Sequence, residues 1–143
     1  MEQNLNSFLA FDPGEKTGWA SFNSEGDLTG SGIIHGGLRG LSDYLCAVNP
    51  LPHKVICETY RIKDFKFKHN MSTVPTIRLI GVLEEWAYRH GAQWIEQESS
   101  VYRDGIRWAG LKVPSGHIPD NLSAIGHGVY HLHKHEKLWV ITL

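Results

Sequence analysis

Cysteine is scarce in this sequence, long apolar runs are missing, and neither sign of charge prevails. The two cysteines, Cys46 and Cys57, fall in an expected helix and an expected strand and lack metal-ligand spacing. That argues against a disulfide framework or thiolate metal site and suits a reducing, cytoplasmic compartment. No stretch approaches the roughly 20 apolar residues of a membrane-spanning helix. The polar start from Met1 to Ser7 holds no signal-peptide core. A formal net charge of −1 does not by composition announce a nucleic-acid binder, so such a role must rest on local charge. Repeats, low-complexity tracts and interdomain linkers are also absent, and 143 residues are expected to form one domain over 1–143.

What is present begins with the stretch from Phe8 to Phe22. An apolar run ends in Asp12, turns through Pro13 and Gly14, and resumes after Thr17 and Gly18. A carboxylate at the tip of a buried strand costs several kcal/mol unless a partner compensates it, and a metal ion is one candidate. The plain alternative is an Asp that opens a turn before Pro-Gly. Ser7–Asp12, Thr17–Ser24 and Leu28–His35 read as an antiparallel meander. Gly36, Gly37 and Gly40 are expected to break the chain, and Leu41–Val48 to form a short helix stopped by Asn49-Pro50 and Pro52. His53–Glu58 is a fourth strand, again ending in a carboxylate. Strands joined by a helical crossover run parallel and bring their C-terminal ends together. If the first and fourth strands are neighbours, Asp12 and Glu58 lie side by side.

From Thr59 to Val74, Arg61, Lys63, Lys66 and Lys68 interleave with Tyr60, Phe65 and Phe67. Basic groups neutralise phosphates while aromatic rings stack on unpaired bases, so the mixture suits nucleic acid. The alternative is a solvated loop whose rings pack back onto the domain. A helix entered through Ser72 or Thr73, with Pro75 in its first turn, runs to His90-Gly91. Its apolar positions exceed one narrow face, so one side should cover the sheet and another could meet a second subunit. Ala92–Glu96 reads as a fifth strand, and Glu98–Gly116 as irregular, with a second basic-aromatic group of Tyr102, Arg103, Arg107, Trp108 and Lys112. The last helix is expected from Pro119 to about Lys137, with Leu138–Leu143 a tail strand or packed terminus. On that helix Asp120, Ala124, His127 and His131 share one stripe, opposite Leu122, Ile125, Val129 and Leu132. If only the apolar stripe met the sheet, Asp120 would point away from Asp12 and Glu58; the small residues Ser123, Gly126 and Gly128 permit close packing that would instead bring the polar face to the site.

Asp12, Glu58 and Asp120, with His117 three residues before the last, form the chemical candidate set. Clustered carboxylates raise one another's pKa unless a cation neutralises them. A pair of divalent ions about 4 Å apart serves that purpose in phosphodiester-cleaving sites. Oxygen ligands favour Mg2+, and an imidazole at His117 tilts the set towards Mn2+. The plain reading of His117 is a cap for the following helix. His127, His131, His133 and His135 lack a cysteine or carboxylate at zinc spacing, and Ser99-Ser100 has no evident base partner.

Asp12-Pro13-Gly14 with Thr17-Gly18 after an apolar strand, Glu58 ending the fourth strand, and His117-x-x-Asp120 opening the last helix resemble the RuvC-like Holliday junction resolvases. These belong to the ribonuclease H-like, retroviral-integrase superfamily, and the likeness leans to phage-encoded members. The resemblance implies an α/β fold with a mixed five-stranded sheet in the order 3-2-1-4-5, covering nearly the whole chain. It implies Mg2+, with Mn2+ able to substitute, held by Asp12, Glu58 and Asp120, with His117 as ligand or proton-transfer group. It also implies a homodimer that nicks paired strands of a four-way DNA junction to leave 5′-phosphates, with the helix from Pro75 to Arg89 as dimer element. Tyr60, Arg61, Lys63, Phe65, Lys66, Phe67, Lys68, Arg103 and Arg107 are the expected DNA contacts. His127 resembles a histidine of many phage relatives, its role open. Asn121 departs from the Ala usual after the Asp. The rival readings are a broader flap, branched-DNA or RNA-DNA hybrid nuclease of the same fold, and a junction-binding protein without activity.

Overall fold

The computed structural model describes residues 7–59 and 73–136. The chain runs through β1 (Phe8–Asp12), β2 (Thr17–Phe22), β3 (Leu28–Ile34), α1 (Gly37–Ala47), β4 (Lys54–Glu58), α2 (Thr73–Arg89) and β5 (Gln93–Gln97). A 3-10 turn (Ser99–Val101) leads into α3 (Tyr102–Trp108), and α4 (Asp120–His131) continues into a π-helical turn at Leu132–Glu136. The five strands form one sheet in the order β3-β2-β1-β4-β5, as the resemblance implied. β1 pairs antiparallel with β2 and parallel with β4, and β4 parallel with β5.

Strand periodicity divides the core. Phe8 and Ala10 of β1 and Ile56 of β4 face a cluster with Ala124, Ile125 and Val129 of α4. Leu9, Phe11, Val55 and Cys57 face the opposite cluster, with Leu41 and Leu45 of α1 and Leu79, Leu83 and Ala87 of α2. Alternate residues of a strand share a face. Asp12, Glu58 and Gln97 therefore belong, with Ala10, Ile56 and Ile95, to the α4 side. Both cysteines are free.

Two expectations change. α1 starts at Gly37, so Gly37 and Gly40 lie inside the helix rather than breaking the chain before it. Each glycine weakens a helix by about 1 kcal/mol, less than burial of Leu41 and Leu45 returns. The stretch 98–116 is not wholly irregular, because α3 forms and buries Ile106. The last helix runs to Glu136, close to the expected end, with its final turn π-helical from Leu132.

The conflict between the two stripes of α4 resolves because both are covered. Ser123 through Val129 are all buried. One side of α4 meets the sheet, and the other meets α3, where Gly105 and Gly126 stand so close that a Cβ on either would strike the other helix's backbone. The small residues let α3 take the second face, so the polar stripe can reach the strand ends. The expected tail at Leu138–Leu143 lies outside the described residues.

Candidate active site

β1 and β4 are aligned with Phe11 opposite Cys57, and β4 and β5 with Glu58 opposite Gln97. The C-terminal ends of three parallel strands thus present Asp12, Glu58 and Gln97 in a row. On the other flank of Asp12 its pairing partner is Gly18. The backbone of Asp120 rests where a Cβ of Gly18 would be, so this glycine is what admits the start of α4 to the sheet edge. Thr17 closes the intervening turn: its buried hydroxyl donates to the Gly14 carbonyl (3.2 Å) and accepts from the Gly14 amide (3.3 Å).

The carboxylates lie close enough to act on one another's charge. Asp12 is half-buried, and its pKa is raised from 3.8 to about 8. Burial is the main cause, followed by the charge of Glu58 and, more weakly, that of Asp120. The buried Ser123 hydroxyl opposes the shift. It has no hydrogen bond of ordinary length among the described residues, so its influence on Asp12 is that of a nearby dipole. Asp120 is also raised, by burial first and Glu58 last, while His117 and then Lys16 pull it down.

His117 is exposed. It does not cap α4, whose first turn carries no side-chain cap hydrogen bond. Among the described residues no three His, Cys, Asp or Glu side chains form a finished coordination cage. The donor set nonetheless fits a divalent cation: all-oxygen carboxyl groups, two of which, Asp12 and Asp120, are raised in pKa chiefly by burial.

Two residues close the site from behind. His127, fully buried, donates from Nε2 to Glu58 Oε1 at 2.7 Å, and its Nδ1 meets Gln97 Oε1 at 2.6 Å. Ser123 and His127 follow Asp120 by three and seven positions, the spacing of one helix face. The sequence puts His127 on that stripe without a role and marks Ser123 only as small enough for close packing, while Gln97 and Lys16 carry no signal there. The register of β4 with β5, which singles out Gln97, has no local sequence signal.

Of the expected DNA contacts, Tyr60, Arg61, Lys63, Phe65, Lys66, Phe67 and Lys68 lie outside the described residues. Arg103 sits 5.4 Å from the centre of the Tyr102 ring, and Tyr102 is edge-on to His127 at 6.0 Å, so the start of α3 borders the site. Arg107 is exposed and paired with Asp104 at 2.9 Å. Trp108 stacks on Tyr130 and His133 rather than standing free.

A mixed sheet in this order, with carboxylates at the adjoining ends of its two central strands and a third at the start of the covering helix, is a ribonuclease H-like fold. More particularly it is the fold of RuvC. The chain is similar to Thermus thermophilus RuvC in complex with Holliday junction substrate, with TM-score 0.67 and 12% identity over 92% of this chain and 95% of that one. It is similar also to a second Thermus thermophilus RuvC structure, with TM-score 0.65 and 13% identity over 92% and 96% of the two chains. No protein-family model matches the sequence. No curated protein matches it either.

Proposed function

We propose that this chain is a metal-dependent endonuclease that resolves four-way DNA junctions, working as one nuclease domain in a homodimer. The observation that carries the reading is the grouping of Asp12 and Glu58 on adjoining strand ends with Asp120 at the start of α4, at the edge of a RuvC fold. Divalent cations, Mg2+ or Mn2+, would be held by those three carboxylates with His117 beside Asp120. When bound, such ions supply activation of water and stabilisation of the leaving oxygen in phosphodiester hydrolysis.

The remaining work belongs to the protein. Asp12 and Glu58, anchored on strand ends, give the site a rigid floor. Asp120, at the helix start, closes it from above, where the helix dipole favours an anionic group. His117, exposed beside Asp120, is placed to exchange protons with solvent. Arg103 at the border of the site, Arg107, and the basic-aromatic stretch from Tyr60 to Lys68 would engage phosphates and unpaired bases near the branch point. Support for a branched substrate is the junction bound by the RuvC neighbour. Two free cysteines and a DNA substrate fit work inside a cell. Among the described residues no helix is long and apolar enough to cross a membrane.

The homodimer reading rests on α2. Its inner face is buried, whereas Ile77 and Tyr88 remain 36% and 81% exposed. Eleven residues apart is about three helical turns, so the two lie on one outer face.

The deciding experiment is cleavage of a labelled four-way junction beside a linear duplex, a flap and an RNA-DNA hybrid, with Mg2+, Mn2+ or EDTA. Paired, metal-dependent nicks confined to the junction are expected, lost in Asp12→Asn and Glu58→Gln with junction binding retained. Cleavage of every substrate would move the reading to a broader nuclease. Junction binding without turnover in any metal would overturn the enzyme reading.

A further inference from the structure

Behind Glu58 lies a buried polar relay across three elements that the carboxylate site does not itself require. His127 comes from the middle of α4, Glu58 from the end of β4 and Gln97 from the end of β5. The imidazole has no solvent exposure, and Gln97 is 7% exposed. Both ring nitrogens are engaged, at 2.7 Å to Glu58 and 2.6 Å to Gln97. Tyr102 closes over the ring edge-on. Burying three polar side chains in a helix-sheet interface is unfavourable compared with apolar packing unless every group is satisfied, so the arrangement asks for a purpose.

We infer that His127, held in orientation by Gln97, is a positioning residue that fixes the rotamer of Glu58. Resting on the proposed cation site, the inference assigns Oε1 of Glu58 to the histidine and leaves Oε2 as the oxygen open to a cation. Among the described residues Oε2 accepts no hydrogen bond. The orientation of the Gln97 amide sets which ring nitrogen of His127 carries the proton. As placed, its Oε1 accepts from Nδ1 and its Nε2 has no partner. With oxygen and nitrogen exchanged, the amide donates to Nδ1 instead. Only the second arrangement lets a neutral ring donate Nε2–H to Glu58; in the first, that donation requires a second ring proton. A carboxylate free to rotate loses part of its contribution to cation binding, and outer partners of metal-ligating groups typically contribute about 10–100-fold to affinity or activity.

The test reads Mn2+ binding directly, by the EPR signal of free Mn2+, together with thermal unfolding. His127→Phe keeps a planar ring and removes both hydrogen bonds. His127→Gln keeps an N–H donor of similar reach. His127→Phe is expected to fold and to bind Mn2+ about tenfold more weakly than wild type, and His127→Gln to regain most of the loss. Unchanged Mn2+ affinity in folded His127→Phe overturns the inference while leaving the cation site standing. Equal weakening in both variants places the effect in packing and also overturns it. If His127→Phe does not fold, Gln97→Leu decides: weaker Mn2+ binding at retained thermal stability supports the positioning role, and unchanged binding overturns it. Absence of Mn2+ binding in the wild type removes the cation site, and the inference with it.

Discussion

Replacing Asp12 by Asn is expected to stabilise the metal-free protein while destroying its activity. The two carboxyl states of Asp12 differ in cost because the side chain is half-buried and faces Glu58, which raises its pKa from 3.8 to about 8. A raised acid pKa means that the folded state holds a proton the unfolded state releases. The stability that neutral Asp12 contributes is complete below the unfolded-state pKa near 3.8 and is lost progressively as pH climbs towards about 8. The whole displacement corresponds to roughly 5–6 kcal/mol. Part of the Coulomb contribution is shared with Glu58, and relaxation of the edge reduces it further, so about 2–4 kcal/mol is the expected gain for Asp12→Asn at neutral to slightly basic pH. Urea unfolding of both proteins in EDTA, across the range from about pH 4 to pH 8, measures it. The two proteins should match at the acid end and diverge as pH rises. Saturating Mn2+ should narrow the gap, because only the wild type keeps its full set of carboxylate ligands. A difference that is absent at basic pH, or constant across the range, would refute the electrostatic account of the site.

Other expectations address separate parts of the fold. Gly18→Ala should push the start of α4 off β2, costing about 1–3 kcal/mol in urea unfolding and lowering the rate of junction cleavage more than junction affinity. Ile77→Glu with Tyr88→Glu should yield a monomer by sedimentation with little change in melting temperature, and a persistent dimer would remove α2 from the interface. Leu83→Ala, fully buried between α2 and the sheet, should cost about 2–5 kcal/mol, read by urea unfolding.

Much of this architecture was legible because it depends on short-range patterns. The meander, the crossover through α1 and the parallel pairing of β1 with β4 follow from apolar runs, turn residues and the geometry of right-handed connections. Together they place Asp12 beside Glu58. The α4 side of the site was less legible. Apolar periodicity suggested a helix with one buried stripe, whereas α3 turns it into a helix buried on both sides. That exchange depends on Gly105 meeting Gly126, a contact between segments that carry no local mark of each other. Gln97 was overlooked for a similar reason: nothing around a polar residue at a strand end announces that the neighbouring strand ends in a carboxylate. Helix propensity alone starts α1 after its glycines, whereas tertiary burial of Leu41 and Leu45 carries the helix back to Gly37.

The distribution of the site along the chain has a consequence for its biosynthesis. Glu58 and the histidine that holds it are 69 residues apart, and Gln97 precedes that histidine by 30. A ribosome making this chain from the N-terminus has completed all five strands before Asp120 or His127 is assembled into the polypeptide. A nascent chain can therefore pair its strands and still hold only two of the three carboxylates, with Gly18 exposed where α4 will later sit. Competence to cut would come with the docking of one late helix, so a chain interrupted before that point would be left as an incomplete scaffold rather than an unregulated nuclease.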